Sequence, residues 1–197
     1  MSKEAKEVSK TDIMPLEQYS KNRKQLRKDL IEFKKYRRIS LGPYATFYFE
    51  CYETMLAQIQ EMLYIEKARD GQLEDELRAY NPLIPNGQKL VATLMFEIDD
   101  PISRTTFLKK IGGIEEKVYM IVDGEKINSI PERDVDRTSG DGKASSVQFI
   151  HFNFTQNQIE KFKDNSTEVI LGIDHNNYPH SVKITDLTKK VLSRDFS

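Results

Sequence analysis

The sequence has little of several residue types on which common architectures depend. It contains one cysteine and no tryptophan among 197 residues. A single cysteine excludes an intramolecular disulfide framework, and it excludes any zinc or iron–sulfur site that takes several thiolates from this chain. No run approaches the roughly 18 apolar residues of a membrane-spanning helix, so we expect no membrane insertion.

The chain also lacks an excess of either charge. It has 30 Lys and Arg against 31 Asp and Glu, which gives a net charge of -1. A large basic field that would coat nucleic acid is therefore absent. The N-terminal residues contain no apolar segment of a secretory signal, so we expect a cytoplasmic protein. With 38% apolar residues, including 10 Phe and 9 Tyr, the chain can bury a substantial core.

The N-terminal third is predicted to contain helices on either side of one strand, at residues 44–49. Residues 1–11 are rich in Lys, Glu and Ser and are predicted to form a mobile tail, and residues 12–197 are predicted to form a single domain. Apolar residues recur at helical spacing between Leu16 and Phe33, and Arg23 lies on their stripe. An arginine in that position either extends its head into water or pairs with a carboxylate elsewhere in the fold.

A second helix is predicted over residues 52–63, and Glu66 continues its apolar face. Glu66 is either solvated at the end of the helix or buried with a partner, for which Arg23 and His175 are candidates. Glu61 lies on another face, where a polar surface or an interface is expected. The lone Cys51 is predicted to be a small buried hydrophobic residue.

The later part of the chain is rich in strands. Two β-branched runs flank Asp123-Gly124, which predicts a type I′ hairpin, and Thr155 is predicted to cap a short helix. Further strands are predicted at residues 169–173 and 181–184. This order predicts an α+β fold in which N-terminal helices pack on a mainly antiparallel sheet with short connecting helices.

Asp174 and His175 close one predicted strand, and loops at strand ends often present binding groups. They form either a simple polar turn or a metal site on which carboxylates from other elements converge. Imidazole with carboxylates would suit Fe, Mn or Zn. The candidate metal ligands are Glu50, Glu61, Glu66, Asp174 and His175, and the candidate catalytic residues are Glu61, Glu66 and His175.

Positive charge gathers in residues 21–38, which hold nine cations against Asp29 and Glu32. Such a run is a solvated helix face or an anion- or nucleic-acid-binding surface. The candidate contacts are Arg23, Arg27, Lys34, Lys35, Arg37 and Arg38. We expect the two aromatic residues of this run, Phe33 and Tyr36, to be buried rather than to stack on bases.

Several strings in the chain resemble a known family. They are Leu41-Gly42-Pro43, Gln58-Ile59-Gln60-Glu61-Met62, Tyr80-Asn81-Pro82-Leu83-Ile84-Pro85 and Gly172-Ile173-Asp174-His175. Over residues 12–190 the sequence is similar to the bacterial domain-of-unknown-function family numbered 3501. It departs from that family at Asn176, where the family pattern has proline.

The resemblance implies a bacterial protein with no assigned activity. Family members are commonly encoded beside a rubrerythrin-like protein and an iron–sulfur oxidoreductase, which are therefore the expected partners. The resemblance thus favours an accessory or interaction protein of a redox or oxidative-stress system. A metal-dependent enzyme with Glu and His ligands, or a nucleic-acid-binding protein that uses the basic N-terminal helix, are the alternatives.

Overall fold

The computed structural model describes residues 6–132, 138–140 and 142–196. The chain divides into two compact units. We call Met1–Lys35 with Glu50–Asn86 the helical unit, and Tyr36–Phe49 with Gly87–Ser197 the sheet unit. The predicted division into a tail and a single domain stays a prediction.

The described residues of the helical unit form three α-helices, of which the first two lie where the periodicity predicts helix. They are α1 (Leu16–Lys34), α2 (Tyr52–Ile65) and α3 (Gln72–Tyr80). Helix α2 buries a full stripe that includes Met55, Ile59 and Leu63. Helix α1, although longer, buries only Tyr19. Helix α2 is therefore the apolar centre of this unit, and most of α1 contacts water.

Part of the predicted tail is fixed within the helical unit. Residues 1–5 lie outside the residues that the structure describes. Val8 is only 1% exposed. Its N–H donates to Asn81 Oδ1 at 2.9 Å, and its carbonyl accepts from Asn81 Nδ2 at 3.0 Å. These paired hydrogen bonds fix the chain at Val8 to the turn that follows α3.

The sheet unit contains two antiparallel sheets. The first has the order β1-β2-β3-β7-β6 and the second the order β5-β4-β8-β9, with every pair of neighbours antiparallel. The strands are β1 (Arg38–Leu41), β2 (Ala45–Phe49), β3 (Lys89–Phe96), β4 (Val118–Val122), β5 (Glu125–Asn128), β6 (Ile130–Pro131), β7 (Val147–Asn153), β8 (Val169–His175) and β9 (Tyr178–Lys183). The α+β class with antiparallel sheets is thus confirmed.

Local sequence explains several of these elements. Asp123 and Gly124 both have positive φ, 50° and 79°, as a type I′ hairpin between β4 and β5 requires. The Thr155 hydroxyl accepts from the N–H of Gln158 and caps the following helix, as predicted. The short helices of this unit are α4 (Pro101–Lys110), α5 (Gln156–Lys163) and α6 (Asp186–Leu192).

One apolar cluster joins both sheets and the three short helices. Phe47 and Phe152 enter it from the first sheet, Leu171 from the second, and Phe162 and Leu192 from α5 and α6. Each of these five side chains is completely buried. Because fully burying a side chain of this size stabilises a fold by about 1.5–3 kcal/mol, this shared core is the main source of stability in the sheet unit.

Candidate functional site

Helices α1 and α2 are joined by a polar contact at one end. The Tyr19 hydroxyl donates to Glu61 Oε2 at 2.7 Å. Arg23 donates from Nε to Oε2 at 3.0 Å and from Nη2 to Oε1 at 2.5 Å. The Arg23 guanidinium also lies 4.9 Å from the centre of the Tyr64 ring. The first half of α1 meets the last turns of α2, and the second half of α1 lines one groove with the first half of α2, so the two helices run antiparallel.

The protonation states of Glu61 and Tyr19 are set by this contact. The hydrogen bond from Arg23 is the main reason that the pKa of Glu61 is lowered to about 2. Burial of the carboxylate opposes this shift, and the hydrogen bond from Tyr19 adds to it. Burial, with the acceptor Glu61 beside the hydroxyl, raises the pKa of Tyr19 to about 12. Glu61 is therefore ionised and Tyr19 protonated at neutral pH. Of the two interpretations of Arg23, the pairing with a carboxylate is the observed one.

A second contact fixes the segment that leads into α1. Gln60 is buried, and its side-chain amide makes two hydrogen bonds with the backbone of Met14. The Met14 N–H donates to Oε1 at 2.8 Å, and Nε2 donates to the Met14 carbonyl at 3.0 Å. Together with Glu61, Gln60 positions α1 against α2.

Beyond these contacts, the second half of α1 and the first half of α2 line a groove. Its volume is about 580 Å³, within the range typical of ligand sites. Its apolar lining includes Leu26, Leu30, Phe33, Met55, Leu56 and Ala57. Leu26 is 38% exposed and Phe33 41% exposed. The expectation that Phe33 and Tyr36 are buried is wrong, because Tyr36 is also exposed.

The two walls of this α1–α2 groove carry opposite charges. Arg27 and Lys34 line it from α1, and Glu50 and Glu53 line it from the start of α2. Glu50 is only 4% exposed. The Glu53 carboxylate accepts a hydrogen bond from the buried Cys51 thiol at 3.2 Å. The burial of Cys51 agrees with its predicted role as a small hydrophobic residue.

The remaining carboxylate candidate on α2 lies elsewhere. Glu66 forms an ion pair with Arg69, three residues later, at the exposed end of the helix. Of its two interpretations, the solvated helix end is the better description.

In the sheet unit, Asp174 and His175 line a separate polar cleft of about 600 Å³. His175 Nδ1 accepts the N–H of Asn177 at 3.2 Å, which places the proton of a neutral imidazole on Nε2. Asp174 Oδ2 lies 3.4 Å from Lys126 Nζ. The other residues of the cleft are polar or glycine, and they include Lys110 and Lys117.

A further cluster of titratable groups had no signature in the sequence. On the first sheet, His151 Nε2 lies 3.0 Å from Glu132 Oε2. Burial and nearby Lys89 lower the pKa of His151, although Glu132 opposes the shift. Burial also lowers the pKa of Lys89, again opposed by Glu132. Lys89 lies in β3 and His151 in β7, and Glu132 directly follows β6, so only the strand register brings them together.

Within the part of the chain that the structure describes, no three His, Cys, Asp or Glu side chains form a group that could hold a metal ion. This finding gives no support to an Fe, Mn or Zn site, which stays a prediction. The candidate ligands Glu50, Glu61 and Glu66 belong to the helical unit, and Asp174 and His175 belong to the sheet unit.

Carboxylates engage Arg23, Arg37 and Arg38 among the candidate nucleic-acid contacts. Arg37 is 4% exposed and makes two hydrogen bonds of 2.8 Å with Asp195. Arg38 lies 3.6 Å from Glu97, and Arg23 pairs with Glu61 as described above.

No helix in the described ranges is both long and apolar enough to cross a membrane. The comparison with curated proteins finds no match. Among solved structures, the chain is similar to a crystal structure of a novel protein of unknown function from Burkholderia pseudomallei K96243, determined at 1.90 Å resolution. The two share 33% sequence identity with a TM-score of 0.89, and the match covers 96% of this chain and 99% of that one.

A family model described as a protein of unknown function (DUF3501) matches residues 7–196. This range spans both units and includes the groove, the polar cleft and the His151 cluster. The chain belongs to the DUF3501 family of proteins of unknown function.

Proposed function

We propose that the protein is a non-enzymatic accessory or interaction protein of a redox or oxidative-stress system, and that it binds its partner in the α1–α2 groove. The observation that carries this proposal is the apolar stripe of Leu26, Leu30 and Phe33 on the α1 wall of the groove, of which Leu26 and Phe33 are exposed and Leu30 is half-buried. These residues are spaced four and three apart, so they share one face of the helix. A partner that covers them would remove apolar surface from water.

The stripe suits a helical segment of a partner. A helix that docks in a groove uses apolar anchors at positions i, i+3 or i+4, and i+7, which is the spacing that the α1 wall itself presents. The contacts at Glu61 and Gln60 hold α1 in place without a ligand. A groove formed in advance lowers the entropy cost of binding.

The redox assignment rests on the resemblance to the family. In this proposal the partner is a rubrerythrin-like protein or an iron–sulfur oxidoreductase, and it supplies the electron-transfer chemistry. The chain itself has a single cysteine, which is buried, so it offers no intramolecular dithiol for electron transfer. Its part is to dock and position the partner.

The test is a calorimetric titration of the full-length protein with each purified partner, under reducing conditions and at low salt. Leu30→Glu places a charge on the apolar stripe, so we expect at least a tenfold loss of affinity, about 1.4 kcal/mol. Ile31→Glu is the matched control, because Ile31 is the next residue of the same helix, is 70% exposed and lies outside the groove lining. We expect its affinity to equal that of the unsubstituted protein.

Two results would contradict the proposal. If the unsubstituted protein binds neither partner, the redox assignment is wrong. If Leu30→Glu and Ile31→Glu weaken binding equally, the groove is not the docking surface.

A further inference from the structure

We infer that the polar cleft of the sheet unit binds a small phosphate monoester. The cleft has a volume of about 600 Å³ and is lined by residues of the sheet unit alone. It is therefore a different site from the α1–α2 groove, and the inference does not depend on the proposed partner. Its basis is a set of hydrogen-bond donors, two of them cationic, that have no carboxylate partner within the described ranges.

Two lysines of the cleft are held at the turn between β8 and β9. Lys110 ends α4, and its carbonyl accepts from Asn177 Nδ2 at 2.6 Å. Lys117 directly precedes β4, and its carbonyl accepts the Asp174 N–H at 2.8 Å. Because the backbone of each lysine is bonded to this one turn, both side chains start from fixed points beside it.

The head groups of these two lysines are available to a ligand. Both side chains are exposed and line the cleft. Neither ammonium group makes an ion pair or a hydrogen bond with any residue that the structure describes. A ligand anion would therefore gain two charge partners without displacing an ion pair. A lysine ammonium suits phosphate, because it is a compact charge with three N–H donors.

His175 supplies a donor of another kind. It is half-buried in the cleft, and its Nδ1 accepts the Asn177 N–H at 3.2 Å. This bond leaves the N–H of a neutral imidazole on Nε2. The neighbouring Asn176 adds an exposed side-chain amide to the lining. A phosphate monoester has three strong acceptor oxygens, so a single ligand group can accept from ammonium, imidazole and amide donors together.

The acids of the cleft reduce its positive charge but do not cancel it. Asp174 Oδ2 lies 3.4 Å from Lys126 Nζ, so a cation outside the lining balances this carboxylate. Glu116 is the other acid of the lining and would repel an anion. Even when Glu116 is counted in full, Lys110, Lys117 and Lys126 stand against two acids, and the charge of the site is positive.

Glycine leaves one side of the cleft without a side chain. Gly113 has φ of 76°, and a Cβ atom there would extend into open space. Its N–H donates to Thr138 Oγ1 at 3.2 Å, so this N–H is not available to a ligand. The cleft is therefore unlike a glycine-rich phosphate loop, in which backbone N–H groups bind the phosphate. Recognition here depends on side chains, which substitutions can remove one at a time.

The types of donor favour phosphate over carboxylate. A phosphate monoester carries a charge of about -1.5 to -2 at pH 7, which two lysines can match. A planar carboxylate is matched instead by the fork of an arginine guanidinium, and no arginine is among the described residues that line the cleft. The volume of the cleft is within the range of small-molecule sites, so we assign it to a free phosphate monoester rather than to a phosphorylated macromolecule.

The test is a titration of the isotope-labelled, full-length protein with glycerol 3-phosphate at low salt, followed by two-dimensional NMR. We expect saturable shifts of the amide signals of Gly113 and Asn176, and no shift of the signal of Leu30 in the groove. Succinate carries two negative charges on carboxylates and should bind about threefold more weakly or less. Vesicles that contain phosphatidic acid present the phosphate on a lipid, and we expect them not to displace glycerol 3-phosphate.

Substitutions assign the binding to the two lysines. Lys110→Gln and Lys117→Gln should each weaken the binding of glycerol 3-phosphate about threefold or more, because each removes one cation from the site. Lys109→Gln is the matched control, since Lys109 is the preceding residue, is exposed and lies outside the cleft lining. It changes the net charge equally, and we expect its affinity to equal that of the unsubstituted protein.

Four results would overturn the inference. If the cleft signals show no saturable shift, no phosphate monoester binds there. If Lys109→Gln and Lys110→Gln weaken binding equally, the ligand is attracted to surface cations in general. If succinate binds as tightly as glycerol 3-phosphate, the site does not select phosphate, and if the vesicles displace the ligand, the site binds a lipid headgroup. Each of these results leaves the proposed function intact, because Leu30→Glu tests that function in the groove.

Discussion

At the scale of single residues, the two carboxylates Glu61 and Glu66 have different roles although both lie near the end of α2. Glu61 accepts hydrogen bonds from residues on another helix, whereas Glu66 pairs with Arg69 three residues away. An exposed pair between near neighbours contributes little, typically below 1 kcal/mol. Glu61 links two helices, so its removal should affect the fold itself.

We predict that Glu61→Gln lowers the free energy of unfolding by about 2 kcal/mol at pH 7, because Arg23 and Tyr19 lose a charged acceptor. The folded-state pKa of Glu61, about 2, is below its ordinary value of 4.5. Its contribution is therefore fully present above about pH 4.5 and is lost as the pH falls toward 2. Urea unfolding followed by circular dichroism at several pH values measures this change.

Glu66→Gln provides the control for that experiment, with an expected loss below about 0.5 kcal/mol. The difference between the unsubstituted protein and Glu61→Gln should narrow between pH 4.5 and pH 2. If the difference in the free energy of unfolding stays constant over that pH range, the contact at Glu61 does not stabilise the ionised carboxylate. The same conclusion holds if Glu61→Gln and Glu66→Gln lower the free energy of unfolding equally.

At the scale of elements, one tyrosine joins the two sheets of the sheet unit. Tyr178 begins β9, and its hydroxyl reaches the turn between β1 and β2. It accepts from the N–H groups of Tyr44 and Ala45 at 3.0 and 2.9 Å, and it donates to the Leu41 carbonyl at 2.6 Å. One donor and two acceptor positions exhaust the hydrogen-bonding capacity of a hydroxyl.

The same turn depends on Gly42, which has φ of 61°. A Cβ atom there would lie 2.8 Å from the Tyr178 hydroxyl and 2.7 Å from the ring of His180. Glycine thus allows the left-handed backbone and the close approach of β9 at one position. The turn and the tyrosine form one contact between the sheets.

We predict that Tyr178→Phe lowers the free energy of unfolding by about 3 kcal/mol, since two backbone N–H groups and one carbonyl lose their partner in a buried site. Tyr119→Phe is the control. Tyr119 lies in β4, and its hydroxyl makes no hydrogen bond within the described ranges, so the expected change is below about 0.5 kcal/mol. Equal melting temperatures for Tyr178→Phe and the unsubstituted protein would contradict this role of the hydroxyl.

Elements whose determinants are local could be predicted from the sequence. The hairpin at Asp123-Gly124, the cap at Thr155 and the helical stripe of α2 each depend on residues a few positions apart. Strand β1 (Arg38–Leu41) was not predicted, because a strand of four residues that alternates exposed and buried positions has too short a pattern to recognise. The bond from Tyr178 to Leu41 spans 137 positions, which no local pattern encodes.

The groove was predictable in part. Helical spacing places Leu26, Leu30 and Phe33 on one face of α1, and this grouping is what the structure shows. The spacing does not show whether another element covers that face of the helix. We expected the face to be covered and Phe33 to be buried, but Phe33 is exposed. The pairing of Arg23 with Glu61 likewise depends on the antiparallel arrangement of two helices, which the sequence of either helix does not contain.

At the scale of the whole molecule, a net charge of -1 hides two stretches of opposite sign. Residues 21–38 carry nine cations, and residues 50–76 carry eight carboxylates against Lys67 and Arg69. The pair of Arg23 and Glu61 joins the two stretches directly. Other acids of the second stretch pair with arginines three residues away, Glu66 with Arg69 and Asp75 with Arg78.

This distribution allows the nucleic-acid alternative to be tested quantitatively. For duplex DNA the logarithm of the binding constant falls with the logarithm of the salt concentration, with a slope of about -0.9 for each phosphate contact. Six contacts from all the candidate cations would give a slope of about -5. Because carboxylates engage Arg23, Arg37 and Arg38, we predict a slope no steeper than about -3.

The measurement is a salt titration of protein bound to a fluorescent duplex. Arg27→Gln removes a candidate contact and should reduce any measured slope by about 1, whereas Lys109→Gln removes an exposed cation of α4 and should leave the slope unchanged. A slope near -5 would contradict this prediction, because it requires the engaged arginines to release their carboxylates for phosphate. A shallow slope, together with weaker partner binding by Leu30→Glu than by Ile31→Glu, would instead assign the basic stretch to the wall of a protein-binding groove.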